Sequence, residues 1–79
     1  MIETIKDSLF TELRVVGTPY RALAQKNPKG EWMVYLLTAD RRSDKVKRAT
    51  ALTCAKDRVQ AEDYARLIAV TAQEMALYK

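Results

Sequence analysis

The quartet Asn27-Pro28-Lys29-Gly30 narrows the fold more than any other stretch. Proline pre-sets one backbone dihedral and glycine tolerates positive φ, so the quartet reads as a tight turn. Strand-like runs flank it, Tyr20 to Lys26 before and Trp32 to Leu37 after, and the polar break Arg41-Arg42-Ser43-Asp44-Lys45 then leads into Val46 to Cys54. This spacing predicts a three-stranded antiparallel meander with cationic connections. A hairpin loop of those four residues alone would set Lys26 opposite Glu31 and Ala24 opposite Met33. Alternation then assigns Tyr20, Ala22, Ala24, Lys26, Met33, Tyr35 and Leu37 to one face, and Arg21, Leu23, Gln25, Trp32, Val34 and Leu36 to the other. The middle strand is apolar on both faces, so it needs cover on both or leaves one for a partner. Trp32 is the expected core anchor beneath the C-terminal helix. In the third run Arg48, Thr50, Leu52 and Cys54 oppose Lys47, Ala49, Ala51 and Thr53, with Cys54 expected as a small buried residue. Its charged start suits an edge strand.

The flanks read as helices. Ile2, Ile5, Leu9, Leu13 and Val16 form one helical stripe, ended by Gly17 and Pro19. A strand from Leu9 to Val16 is the competitor, because Thr11, Val15 and Val16 are β-branched. At the other end Asp57 can cap a helix, with Gln60 three residues on. Ala61, Tyr64, Ala65, Ile68, Ala69, Ala72, Met75 and Ala76 make an apolar arc whose alanines permit close approach to a sheet. Val70 and Leu77 fall off that arc and should be exposed. The expected architecture is α+β and αβββα: a three-stranded antiparallel sheet, a C-terminal helix on one face and a short N-terminal helix, in one domain over residues 1–79.

At 79 residues the core is small, and a partner or a self-dimer could contribute stability. No apolar run is long enough to span a bilayer, no signal-peptide pattern opens the chain, and the lone Cys54 forms no disulfide framework; together these suggest a cytoplasmic protein. With no histidine there is neither a zinc constellation nor the usual general base, and two glycines cannot build a phosphate loop. An enzyme is therefore the least supported class, and no cofactor, small-molecule substrate or membrane is implied.

Charge is unevenly spread. Residues 1–14 carry two basic and three acidic side chains, residues 15–56 nine and three, and residues 57–79 three and four. The excess lies in Arg41, Arg42, Lys45, Lys47 and Arg48, with Lys29, Arg21 and Lys26 nearby in sequence. Arginine forks and lysines on loops and a strand edge suit phosphate contact, so nucleic acid or a nucleoprotein is the leading partner. The same charges would also serve as solvated gatekeepers on an edge strand. A second surface, Tyr20, Met33, Tyr35 and Leu37 with Val70 and Leu77, suits a protein interface. It suggests a protein-binding accessory or inhibitor module, of the kind mobile elements encode against a nucleic-acid-handling partner, or a homodimer.

Two resemblances bear on these residues. The expected order of helix, three strands and helix, with Pro28 in the hairpin loop and an alanine-rich last helix, resembles the double-stranded RNA-binding domain and implies duplex binding. Where that family carries a basic cluster at the last helix, this chain reads Lys56-Asp57-Arg58-Val59-Gln60, then Glu62-Asp63. Tyr20-Arg21, Gln25-Lys26, Gly30 and Trp32 are similar to the opening of plant-type AP2 DNA-binding domains, which read the major groove with a three-stranded sheet. Arg21 and Lys26 match basic positions of that motif, and Ala24, Tyr35 and Leu37 stand where its DNA-facing Arg, Glu and Arg would be.

Overall fold

The computed structural model describes residues 1–40 and 42–77. Five strands precede one helix: β1 (Ile2–Lys6), β2 (Phe10–Val15), β3 (Tyr20–Lys26), β4 (Trp32–Ala39), β5 (Val46–Ala55) and α1 (Arg58–Leu77). Each strand pairs antiparallel with the next, giving a five-stranded meander in sequence order.

The expected N-terminal helix is thus replaced by a hairpin, and the three-stranded sheet by five strands. Asp7 decides the matter locally. Its carboxylate accepts the backbone N–H groups of Leu9 (2.8 Å) and Phe10 (3.3 Å), and its own N–H donates to the Phe10 carbonyl (3.0 Å). That turn folds β1 back on β2. Beyond it Thr11, Leu13 and Val15 alternate with Phe10, Glu12 and Arg14, a period of two that a helix cannot bury. Gly17 adopts positive φ as expected, at 85°, but in the turn from β2 into β3.

The Asn27–Gly30 turn forms, with Gly30 at φ 86°. The register differs from expectation by one residue. Asn27 Oδ1 accepts the N–H groups of Lys29 (3.0 Å) and Glu31 (2.9 Å), which draws Glu31 into the loop and sets Lys26 opposite Trp32. Because side chains alternate, that slip exchanges the faces of β4. Trp32, Val34 and Leu36 share the helix-covered face with Tyr20, Ala22 and Ala24, while Met33, Tyr35 and Leu37 lie on the bare face with Arg21, Leu23 and Gln25. A register shift at Val34/Tyr35 leaves Leu52 as the extra residue in β5. Thr53 therefore joins Thr50 and Arg48 on the helix side, and Cys54 joins Ala49 and Ala51 on the bare side. Cys54 is exposed, not buried, with its Sγ 3.3 Å from Met33 Sδ.

Helix α1 begins as expected: Asp57 Oδ1 accepts the Gln60 N–H (2.9 Å), and the Gln60 carboxamide oxygen accepts the Lys56 N–H (2.9 Å). It runs over β3, with β2 and β4 to either side, and meets the outer strands less, β1 least of all. Its buried residues are Ala61, Ala65 and Ala69, facing Ala22 and Ala24 on β3. Small side chains on both sides of that seam bring helix and sheet close, flanked by Leu13, Val15 and Val34. Trp32 packs against this core and beneath the Arg58 guanidinium, 5.1 Å from its ring centre. No helix among the described residues is long and apolar enough to cross a membrane.

Candidate nucleic-acid interface

The cationic residues divide between the two ends of the sheet. Lys26 and Lys29 sit at the hairpin end, where β5 also finishes, one residue before Lys56. Arg42, Lys45, Lys47 and Arg48 sit at the opposite end, along β4, which spans roughly 26 Å. Arg41 lies outside the described residues. The structure therefore brings four of the expected residues together and holds Lys29 and Lys26 apart from them.

Both acids of the 40–45 connection have partners within the protein. Asp40 accepts the backbone N–H groups of Arg42 (2.7 Å) and Ser43 (3.3 Å), and its own N–H donates to the Lys45 carbonyl (2.8 Å). These two amides, with Lys47 at 3.6 Å, hold the Asp40 carboxyl below the usual carboxylate range. Asp44 takes a left-handed conformation, φ 61°, and its carboxylate meets the guanidinium of Arg21 and that of Arg14 (3.4 Å). Arg14 also binds Glu12 at 2.5 Å, and this hydrogen bond, more than the surrounding charge, raises its pKa.

Arg21 is consequently not a surface cation. It is 8% exposed on the bare face of β3 and acts as the post to which Asp44 is fastened. The outward surface that remains is cationic: Arg42, Lys45 and Arg48 are exposed and form no ion pair among the described residues, and Lys47 meets only Asp40. Arg48 lies on the helix-side face of β5 opposite Thr38, and Lys47 is the extra residue of the irregularity at Thr38/Ala39. Nine of the ten β5 residues are exposed, which leaves this corner open from the edge as well as from the end.

The second expected surface is dispersed. Met33, Tyr35 and Leu37 are on the bare face, with Leu37 buried; Tyr20 is on the other face beside α1. Val70 borders a groove between α1 and β1, and Leu77 is exposed on the last turn of α1. What the residue pattern did not reveal is the organising role of Asp40, Asp44 and Arg14. The one available signal was the spacing of Asp40 and Asp44 around Arg42 and Ser43, a loop-forming arrangement.

Comparison with family models, curated proteins and solved structures finds nothing that matches this chain.

Proposed function

We propose that the protein is a non-enzymatic binding module that engages nucleic acid through the Asp40–Lys45 connection and the first half of β5. The observation that carries this reading is the separation of charge in that corner. Asp40 is tied to loop amides and Asp44, its side chain 63% exposed, is ion-paired with Arg21 and Arg14, while Arg42, Lys45 and Arg48 face solvent without a carboxylate partner among the described residues. Such a surface is positioned to meet phosphate oxygens, with arginine forks able to bind them two at a time. Arg21 and Arg14 serve as positioning residues, because they hold Asp44 and with it the loop.

The test is fluorescence anisotropy on a labelled random-sequence duplex. Binding is expected to weaken with salt at a log–log slope of about −3.6 for four phosphate contacts. The Arg42→Glu/Arg48→Glu variant should lose it at low salt, whereas Lys29→Glu, at the far end of the sheet, should change it little. Duplex affinity unaltered by the double reversal overturns the proposal.

The bare sheet face favours a second reading, a protein-binding accessory or inhibitor module. Ile5, Phe10, Leu23, Met33 and Tyr35 are only half-buried there, on a face no helix covers. An apolar expanse of this kind is typical of protein interfaces. Capture of a host protein that Tyr35→Asp abolishes and Arg42→Glu/Arg48→Glu leaves intact would favour it over the first.

A further inference from the structure

The interior of this protein is built from its smallest side chains. Among the described residues eleven apolar ones are buried, seven of them alanine, and Val34 is the largest side chain fully enclosed. Beside Leu13 and Leu37, which are buried, many large apolar residues lie outside, Leu67 at 65% and Met75 at 64% exposure among them. Both project from α1 beside a groove of about 700 Å³ between the helix, the Gly17–Tyr20 turn and β4. Eleven of the described residues line it and none of these is charged, in a chain where charged residues make up 30%.

We propose that this groove is where a second copy of the chain docks. The two α1 helices cross antiparallel about a twofold axis near Thr71, and Leu67 and Met75 of each copy seat against Tyr20, Leu36 and Ile68 of the other. A twofold interface requires knob and hole in the same patch, and this patch supplies both. Leu67 and Met75 stand two helical turns apart, about 12 Å, with Thr71 midway, so the axis carries one onto the other. The Thr71 hydroxyl donates to the Leu67 carbonyl (2.7 Å), so the centre of the contact brings no unmet polar group. Charge selects this patch over the other open surfaces. Two copies each of net charge +4 repel, the β5 edge adds Lys47 and Arg48, and the bare face carries Glu3, Glu12 and Arg14, while the described residues that line the groove add no charge. Its large apolar residues also supply the burial that an alanine interior lacks.

The inference is independent of nucleic-acid binding and is tested without it. Sedimentation equilibrium from micromolar to millimolar protein should find a reversible dimer, and Leu67→Asp/Met75→Asp should weaken it about a hundredfold or more. Both side chains are exposed, so the thermal transition of the variant at low concentration should stay close to that of the parent. In a Cys54→Ser background, Thr71→Cys should crosslink two copies under mild oxidation, a result that stands even if the double variant folds poorly. Tyr35→Asp on the bare face should leave association intact. A parent that stays monomeric to millimolar concentration overturns the proposal, as does association lost through Tyr35→Asp and kept by the double variant.

Discussion

The two margins of this sheet are secured very differently. At the β1–β2 margin, Arg58 at the start of α1 reaches across to the chain that turns from β1 into β2. Its guanidinium donates to the carbonyls of Asp7, Ser8 (3.1 Å) and Phe10 (3.0 Å) and to the Thr11 hydroxyl (3.1 Å). Glu62, one turn on, accepts from Thr11 (2.6 Å) and pairs with Lys6 (3.1 Å) and Arg58 (3.6 Å). At the β5 margin nothing comparable exists among the described residues: the strand pairs with β4 alone and only Ala55 is buried. Helix side chains tied by hydrogen bonds and ion pairs to the β1–β2 margin, with no such tie to β5 among the described residues, divide a small chain into a structural margin and an exposed one. Position within the sheet then decides whether a charged residue stabilises the fold or is available to a ligand.

The largest effect should come from breaking the seam on which the fastened margin depends. Ala65 is fully buried between α1 and the alanines of β3, so Ala65→Leu has no space and must lift the helix. We expect a loss of about 3 kcal/mol, read from the urea midpoint. A loss below about 1 kcal/mol would mean the helix floats over the sheet and is not seated on it.

Next in size is the clasp itself. Arg58→Met keeps an apolar stem over Trp32 but removes the donors to three carbonyls and the Thr11 hydroxyl. About 2 kcal/mol should be lost, since hydrogen bonds from a charged donor are among the stronger ones, although the Phe10 carbonyl keeps the Asp7 N–H. Amide exchange should accelerate in β1 and β2 and stay unchanged in β5. Uniform acceleration would erase the distinction between the two margins.

Much of this division was legible in the residues, though unevenly. The Asn27–Gly30 turn, the Asp57 cap, Trp32 beneath the helix and the exposed edge strand all follow from local chemistry, and all appear. The N-terminal hairpin was obscured because residues 2–16 satisfy two periods at once. Ile2, Ile5, Leu9, Leu13 and Val16 suit a helix, while Thr11, Leu13 and Val15 suit a strand, and a single Asp7 side chain tips the balance. The faces of β4 turn on one hydrogen bond, from the Glu31 N–H to Asn27 Oδ1, that lengthens the loop by a residue and that apolar alternation does not reveal. The cationic cluster was visible as composition. The withdrawal of Arg21 was not, because its partner Asp44 lies 23 residues away and meets it only once the sheet is closed.

Acid sharpens the comparison further. Hydrogen bonding from Thr11 first, then Lys6 and the charge of Arg58, holds the Glu62 pKa below its ordinary value against the opposing effect of burial. A depressed folded-state pKa contributes stability that is present above the unfolded value and lost as pH falls through the folded one. The parent should therefore lose stability between the ordinary glutamate range and the lower folded value. Glu62→Gln should flatten that part of the profile and cost about 1 kcal/mol at neutral pH. A slope unchanged in Glu62→Gln would assign the acid sensitivity to other carboxylates, Asp40 foremost, whose pKa is also lowered.

The smallest effect on stability should come from the exposed margin, and its smallness is the point. Lys47 and Arg48 begin a strand whose first nine residues are all exposed, and Arg48 has no ion-pair partner among the described residues. Replacing both with glutamine removes two positive charges while keeping long polar side chains on the edge. Surface substitutions of this kind change stability by about 0.5 kcal/mol or less. Lys47 contributes one pairing with Asp40, mostly exposed and screened by salt, so even that loss is minor. The urea midpoint of Lys47→Gln/Arg48→Gln should thus coincide with that of the parent, while its affinity for a duplex falls and the salt slope becomes shallower by about 2. A variant that loses stability by 2 kcal/mol would show the β5 cations to be part of the scaffold after all. One that keeps both midpoint and salt slope would leave Arg42 and Lys45 as the only phosphate contacts among these four.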